Sequence, residues 1–339
     1  MTWSPGHLGP FLHDLEDILI FRRIAGLIAL ALALSACAAP GSTDTAAGEA
    51  RVATTIPEVM PAVVDDDFPV TVVDANGELT IERRPGAIIS LSPTATEMLF
   101  AVGAGEQVLA VDEYSTFPDS APITDLSGFT PNMEAIASYE PDLVIVSNDI
   151  DEIVATLGAL DIPVMLMPAV VTIDGAFEQL DAIGAATGHR IEAAQLVEVL
   201  ASDLEMAVAG LPDPGEPLTY YHELDPTFYT VTSSTFIGGV YGLLGLVNIA
   251  DPADVDGFGY PQLSVEYILD ANPDLIFLTD CCGESISTIS DRPGWGNLSA
   301  VQTGSVVVVD DDIASRWGPR TTEFLLTVAD AVSALVAAG

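Results

Sequence analysis

Lysine is absent from this chain of 339 residues. Nine arginines stand against 50 acidic side chains and give a formal net charge of −41. A surface of that sign repels nucleic acid and anionic lipid headgroups, so we expect no nucleic-acid partner. The acids are scattered along the chain rather than grouped at metal-ligand spacings. A salt-rich habitat therefore explains the composition better than capture of a bare cation, and no metal site is expected.

Cysteine is nearly as scarce, with one residue near the N-terminus and an adjacent pair, Cys281 and Cys282. Neighbouring cysteines can close only a small, strained ring, so they cannot link distant parts of the chain. A vicinal disulfide that is reducible or touches a ligand remains open. Two small loop residues that only pack, oxidised or not, are the favoured alternative.

Long hydrophobic runs are missing as well. The uninterrupted apolar run Ile24–Leu34 follows Arg22-Arg23, is too short to span a bilayer and is flanked like a secretory signal. It ends in Leu34-Ser35-Ala36-Cys37, which resembles a bacterial lipobox and implies that Cys37 is lipidated and becomes the mature N-terminus. We therefore predict a signal peptide with lipobox over residues 1–37.

The following segment, residues 38–66, is rich in Ala, Thr, Pro, Gly and acids without a usable period. Such a composition is typical of a flexible tether. Together with the lipobox it predicts a protein anchored by lipid to the extracytoplasmic face of a cell membrane, rather than one held by a transmembrane helix.

One passage is written twice. Glu134 and Glu266 each begin a short segment with apolar residues at helical spacing. A Pro-Asp pair ends each segment seven residues after its Glu, at Pro141-Asp142 and at Pro273-Asp274. An apolar stretch follows in both copies, which indicates a helix feeding a buried strand. Since an N-cap residue stands two positions before each Glu, the sequence predicts two α/β lobes of one design.

The rest of the chain agrees with two lobes of alternating strands and helices, and such alternation favours mostly parallel sheets. We predict an N-terminal lobe at 67–188, a bridging helix at 189–211 and a C-terminal lobe at 212–339. At about 1.5 Å per residue the bridge is roughly 30 Å long and stiff. Ligands of open α/β sheets bind outside the carboxyl ends of the strands, so the expected site is a cleft between the lobes. The predicted strands are 70–73, 79–81, 88–91, 108–111, 143–146, 164–166, 218–221, 229–231, 275–279 and 306–309.

Several motifs together resemble the periplasmic-binding-protein family that serves iron-siderophore, haem and cobalamin ABC importers. The resemblance covers about Phe68 to the C-terminus. The motifs are Ile88 to Phe100, Asp112-Glu113-Tyr114 with Phe117-Pro118, the doubled passage, Tyr260-Pro261-Gln262-Leu263-Ser264, and Arg316-Trp317-Gly318-Pro319-Arg320.

The resemblance implies an α/β fold of two Rossmann-like lobes joined by one long rigid helix, with small closure on ligand binding. It also implies that one surface Glu per lobe, matching Glu134 and Glu266, docks onto arginines of a permease dimer. The alternative is that a first-turn Glu only complements the helix dipole, worth about 0.3–1 kcal/mol. That accounts for an acid near each N-terminus but not for the same offset in both lobes.

Five residues are candidate ligand contacts. Aromatic rings in loops after predicted strands or at helix entries suit a macrocycle or catecholate through stacking and apolar burial. The guanidinium groups of Arg316 and Arg320 can hold a carboxylate or a phenolate-rich chelate bidentately, and Arg316 is the better ligand candidate of the two. Ordinary packing is the alternative for each ring, and an ion pair with Asp310–Asp312 is the alternative for Arg316 and Arg320. The candidates are Tyr114, Phe129, Tyr260, Arg316 and Trp317.

The sequence therefore predicts a monomeric, lipid-anchored solute receptor of an ABC importer, without catalytic residues or a cofactor. Arg316 favours a ferric siderophore as ligand, and cobalamin or haem is the alternative. An exported α/β hydrolase would need a nucleophile with a paired base, but the chain has no Gly-x-Ser-x-Gly elbow. A lipoprotein that senses ligand and signals to a partner would share the fold. His222, Glu223 and Asp225 follow the first predicted strand of the second lobe and could suggest a metal site. Their spacing is not that of a zinc site, so metal binding there is not expected.

Overall fold

The computed structural model describes residues 68–280 and 285–338. The predictions for the signal peptide with Cys37, for the tether at 38–66 and for Cys281 and Cys282 lie outside those residues. The proposed limits of the lobes stay predictions.

A β-hairpin opens the described chain. Strands β1 (Val70–Asp74) and β2 (Gly77–Ile81) pair antiparallel. Alternate side chains of β1 are buried, as the period of 2 requires. Gly77 closes the turn at a φ of 116°, a left-handed conformation that favours glycine. The Asp74 carboxylate accepts the backbone N–H of Leu166 at 2.8 Å and so ties the hairpin to the lobe that follows.

The N-terminal lobe is a four-stranded parallel sheet with the order β4-β3-β5-β6. Its two central strands are buried along their whole length, which explains the continuous apolar run of Leu143–Val146 and leaves Ser90 as the one polar residue in the other central strand. The strands are β3 (Ile88–Leu91), β4 (Val108–Val111), β5 (Leu143–Val146) and β6 (Val164–Leu166). The helices are α1 (Pro93–Ala101), α2 (Met133–Ser138), α3 (Ile153–Gly158) and α4 (Ile173–Thr187), with 3₁₀ turns at Gly105–Gln107 and Ile150–Glu152.

The long helix predicted between the lobes is α5 (Arg190–Ala209). Gly188 ends α4 in the left-handed conformation, which lets the chain turn back into α5. Leu200 of α5 packs into the core of the N-terminal lobe, and Leu204, one turn later, packs into that of the second lobe. One continuous helix therefore takes part in both cores.

The C-terminal lobe repeats the design, with a parallel sheet of order β10-β9-β7-β8. Its strands are β7 (Thr219–Glu223), β8 (Val247–Asn248), β9 (Leu275–Thr279) and β10 (Val306–Val309). The helices are α6 (Phe236–Leu243), α7 (Val265–Ala271), α8 (Ile286–Ser290), α9 (Ser299–Thr303), α10 (Asp311–Ser315) and α11 (Thr321–Ala338), with 3₁₀ turns at Asp251–Ala253 and Trp295–Asn297.

The strands differ from the prediction in two places: one predicted strand is not formed, and one observed strand was not predicted. The segment 229–231 forms only single bridges, to Glu223 and Gln262, because its backbone pairs with the loop before α7 instead of joining the sheet. The fourth strand is β8, which has two residues and so carries no readable alternation.

The last helix, α11, is apolar and long enough to cross a membrane by length and composition alone. Phe324, Leu325 and Val328 are buried in the core of the C-terminal lobe. The apolar character of α11 is therefore that of a core helix.

The doubled Pro-Asp has a structural role that is the same in both lobes. The Asp142 carboxylate accepts the backbone N–H of Gly86 at 2.9 Å, just before β3. The Asp274 carboxylate accepts the backbone N–H of Thr219 at 2.8 Å and its hydroxyl at 2.7 Å, at the start of β7. Each aspartate thus joins the amino ends of two neighbouring parallel strands and sets their register.

We expect Asp274→Ala to lower the free energy of unfolding by about 2 kcal/mol, because two partly buried donors on Thr219 lose a charged acceptor. Urea unfolding followed by circular dichroism measures the change. Asp270→Ala, an exposed acid on α7, is the matched control and should stay within about 0.5 kcal/mol of the parent. Equal losses in the two variants would contradict the role given to Asp274.

Candidate functional site

The predicted contacts come from loops at the carboxyl ends of both sheets. Tyr114 and Phe129 lie in the loop between β4 and α2, in the N-terminal lobe. Tyr260 lies between β8 and α7, and Arg316 with Trp317 follows β10, in the C-terminal lobe. This is the edge at which open α/β sheets bind ligands.

Two of the aromatic candidates meet. The rings of Tyr114 and Phe129 are 5.6 Å apart between centroids at 84°, an edge-to-face pair. The loop is held by the Glu113 N–H, which donates to Leu126 O at 3.0 Å, and by the close approach of Gly128 to Leu91, where a Cβ would lie 2.5 Å from the carbonyl oxygen. The rings nevertheless remain 52% and 65% exposed, so their faces are available for contact.

The Tyr260 loop is fixed by a carboxylate. Asp254 accepts the backbone N–H groups of Phe258 at 3.1 Å and Gly259 at 2.8 Å, and Thr232 N–H donates to Gly259 O at 2.8 Å. Tyr260 is half exposed, and partial burial raises the pKa of its hydroxyl. Phe258, two residues earlier, is 81% exposed and was not predicted as a contact. A phenylalanine between two glycines was the signal that could have drawn attention to it.

Trp317 lies at the junction of the lobes. Its half-buried ring packs against the cores of both, and its Nε1–H donates to Gln179 Oε1 on α4 at 2.8 Å. Contact between Trp317 and a ligand stays a prediction, since packing between the lobes accounts for the position of the ring.

Arg316 is buried and bound to carboxylates. Its Nη1 lies 2.8 Å from Glu97 Oε1, and its Nη2 lies 2.6 Å from Asp312 Oδ1. The pair with Asp312 is the alternative that the sequence offers for this residue. Direct contact between Arg316 and a ligand stays a prediction, and both terminal nitrogens of the guanidinium already have carboxylate partners.

Glu97 collects a second guanidinium from the same loop. Arg320 donates from Nε to Glu97 Oε2 at 2.9 Å and from Nη2 to Glu97 Oε1 at 2.6 Å. Glu97 is on α1 in the N-terminal lobe, whereas both arginines belong to the C-terminal lobe, so one buried carboxylate joins the lobes. Sequence reasoning missed it. The available signal was the only acid in α1, followed by Met98 and Leu99 on a helix that had to be buried.

The arginines also hold the loop that carries Tyr114. Arg316 Nη2 donates to the Tyr114 carbonyl oxygen at 3.1 Å. The Arg320 guanidinium lies over the Phe117 ring, 4.3 Å from its centroid, in a cation–π contact. Beneath this loop, burial raises the pKa of Asp112, which accepts the Ser115 hydroxyl at 2.6 Å. Residues of the second lobe thus position an aromatic candidate of the first.

The trio after β7 does not converge. His222 is fully buried, its Nδ1 lies 2.7 Å from the Tyr241 hydroxyl, and burial lowers its pKa to about 3. Glu223 forms a bidentate pair with Arg292 at 2.7 and 2.6 Å, and Asp225 accepts the backbone N–H of Thr227. Among residues 68–280 and 285–338, no group of three or more metal-ligating side chains is placed to hold an ion.

Glu134 and Glu266 occupy equivalent places. Each is exposed in the first turn of its helix, α2 or α7. The caps are as predicted, because Asn132 accepts Ala135 N–H at 3.0 Å and Ser264 accepts Tyr267 N–H at 3.2 Å. Neither carboxylate is needed for the cap, which leaves both available to a partner.

Known proteins share this architecture. The family model described as periplasmic binding protein matches residues 88–313. A Bacillus subtilis protein named as an uncharacterized ABC transporter substrate-binding lipoprotein is 29% identical over 318 residues, covering 91% of this chain and 95% of the relative. A cobalamin-binding protein of Halobacterium salinarum is 31% identical over 278 residues, covering 78% of this chain and 74% of the relative. Among solved structures, the periplasmic vitamin B12-binding protein BtuF of Vibrio cholerae is 27% identical with a TM-score of 0.60, covering 75% and 98% of the two chains.

The junction formed by Glu97 yields a stability prediction. Glu97→Ala should lower the free energy of unfolding by about 3 kcal/mol or more, because the buried Arg316 loses a charge partner and Arg320 loses both of its hydrogen bonds to Glu97. Chemical unfolding measures the loss. Glu106→Ala, an exposed acid of the same lobe, serves as control and should change stability little. A comparable loss at both positions would remove Glu97 from this role.

Proposed function

The chain belongs to the periplasmic binding protein family, and on that premise we propose that it is the substrate-binding protein of an ABC importer. It captures a ligand outside the cytoplasm, delivers it to the permease and performs no chemistry of its own. The observation that carries the proposal is the exposed aromatic surface at the carboxyl ends of the sheets. The edge-to-face pair Tyr114–Phe129 comes from one lobe and Tyr260 from the other.

A corrinoid is the ligand that we propose first. The preference for a ferric siderophore rested on Arg316, and that guanidinium is already bound to Glu97 and Asp312. Half-exposed aromatic rings suit a broad, largely apolar macrocycle, which can be held by stacking and by buried area. The names of the Halobacterium and Vibrio relatives support the same ligand class. Ferric siderophores and haem are the competing ligands of the test below.

We further propose that Cys37 carries a lipid and that the tether at 38–66 spaces the binding lobes from the membrane. The apolar run before Cys37, the small residues next to it and the composition of the tether support this anchor. The lipoprotein name of the Bacillus relative supports it as well. The protein then acts as a monomer on the extracytoplasmic face of the cell membrane.

Docking to the permease is assigned to Glu134 and Glu266. Two lobes of one design present the same exposed carboxylate, two residues after the same kind of cap. A permease dimer offers two copies of one surface, so a pair of equivalent anions matches it in number. Arginine is the cation that binds carboxylates bidentately, which makes it the expected partner.

Titration calorimetry with cyanocobalamin, a ferric hydroxamate and haemin tests the ligand. We expect cyanocobalamin to bind with a submicromolar Kd. Tyr114→Ala or Tyr260→Ala should weaken binding about tenfold or more, because each loses roughly 1.5 kcal/mol of ring contact. Met206→Ala, an exposed apolar residue on α5, is the control and should bind as the parent does. If no ligand of the three binds below the micromolar range, the proposed ligand class is wrong.

The docking proposal is tested by reversing both charges, Glu134→Arg with Glu266→Arg, and measuring uptake of labelled ligand separately from affinity. Uptake should fall to the level of cells without the protein, whereas Kd should stay within about twofold, since neither residue is among the proposed ligand contacts. Glu198→Arg with Glu205→Arg, an equal charge change at two exposed positions of α5, should leave uptake intact. Normal uptake by the double variant would exclude docking through these residues.

A further inference from the structure

Building on the proposed function, we propose that the cleft is selective for ligand charge: it takes uncharged or cationic ligands and rejects anionic ones. The reason is that the arginines at the carboxyl ends of the sheets are already bound to buried or half-buried carboxylates. Recognition is therefore left to aromatic faces and to a surplus of acids.

Three arginines lie at this edge within the described residues, and each has a carboxylate partner. Arg316 and Arg320 share Glu97, and Arg316 also binds Asp312. Arg292 binds Glu223, the last residue of β7. Three positive charges are thus balanced by three negative ones, and lysine is absent from the whole chain.

These pairs are costly to open. The side chains of Glu97 and Glu223 are each 1% exposed, and those of Arg316 and Arg292 are 9% and 15% exposed. An anionic ligand that drew Arg316 toward itself would leave a buried carboxylate without one of its cations, and an unpaired buried charge is strongly unfavourable. The guanidinium groups are therefore structural rather than available to an anion.

The loops that carry the aromatic rings add negative charge. Each ring has an exposed acid close by in sequence: Glu113 beside Tyr114, Asp125 before Phe129 and Asp256 before Tyr260. Carboxylates near the mouth of a cleft repel anions, and the negative face of an aromatic ring attracts cations. The two effects favour the same sign of ligand.

Salt separates local pairing from the general acidity of the surface. The Debye length is about 8 Å at 0.15 M and about 3 Å at 1 M ionic strength, so repulsion by exposed acids fades as salt rises. The lack of an available guanidinium is a short-range property of buried pairs and is screened much less. If anionic ligands still bind more weakly than uncharged ones at 1 M NaCl, the cause is therefore the pairing of the arginines rather than the acidity of the surface.

The experiment compares three ligands of one shape and different charge by titration calorimetry in 0.15 and 1 M NaCl. They are cyanocobalamin, which is uncharged, the cation aquocobalamin, and a cyanocobalamin monocarboxylic acid with one peripheral amide hydrolysed. We expect the first two to bind with similar affinity and the acid at least tenfold more weakly at both salt concentrations. Binding of the acid as tight as that of cyanocobalamin would overturn charge selection while leaving the proposed function standing. Binding of none of the three would exclude a corrinoid as the ligand and overturn this inference with it, while the competing ligands of the proposed function would remain.

Two variants test the assigned cause. Asp312→Asn removes a half-exposed partner of Arg316, and Glu97→Gln removes the buried one, so both give the cleft an uncompensated positive charge. Each variant should reduce the difference in Kd between the monocarboxylic acid and cyanocobalamin by about tenfold. Glu205→Gln changes the net charge equally at an exposed position of α5 and should leave this difference in affinity unchanged. Since Glu97→Gln can impair folding, the variant at the half-exposed Asp312 is the decisive one. If folded Asp312→Asn shows the same difference in Kd between the two ligands as the parent, the proposal is contradicted.

Discussion

One buried carboxylate sets the relation between the two lobes. Glu97 leaves the first helix of the N-terminal lobe and receives hydrogen bonds from Arg316 and Arg320 of the C-terminal lobe. Because all three groups are largely removed from water, removing Glu97 would leave Arg320 without this carboxylate and Arg316 with Asp312 alone. The same arginines hold the backbone of Tyr114 and the ring of Phe117, so the candidate ligand surface is built on this interaction.

The remaining connections restrict the same two bodies. Helix α5 enters the core of one lobe at Leu200 and that of the other at Leu204, and Trp317 packs against both. A helix shared by two cores cannot act as a hinge of the Gly/Ser kind. Such a connection restricts the relative motion of the lobes, and a site with restricted motion has a lower ordering cost on binding.

The charge of the chain takes on a different meaning beside this geometry. A surplus of acids on the surface keeps copies of the molecule apart by charge repulsion. At the carboxyl ends of the sheets, Arg292, Arg316 and Arg320 are each bound to a carboxylate. Aromatic rings and acids are what remain exposed at the candidate site. Under the proposed function, ligand choice depends on shape, apolar area and the absence of negative charge on the ligand, and the two exposed glutamates serve delivery.

The sequence by itself determined what local patterns can report: the alternation of buried strands and helices, the caps at Asn132 and Ser264, the doubled passage, and the family. Those features depend on residues a few positions apart, where periodicity and hydrogen bonds to the nearest N–H leave a readable trace. The strand predicted at 229–231 was wrong, because these residues form only single bridges. Strand β8 was not predicted, because two residues are too few to show a pattern. The ion pair of Arg316 with Asp312, four residues away, was among the alternatives that the sequence left open. Only the tertiary structure decided the pairing of Arg316 with Glu97. Glu97 is 219 residues away, and a pairing at that separation exists only once two lobes have packed.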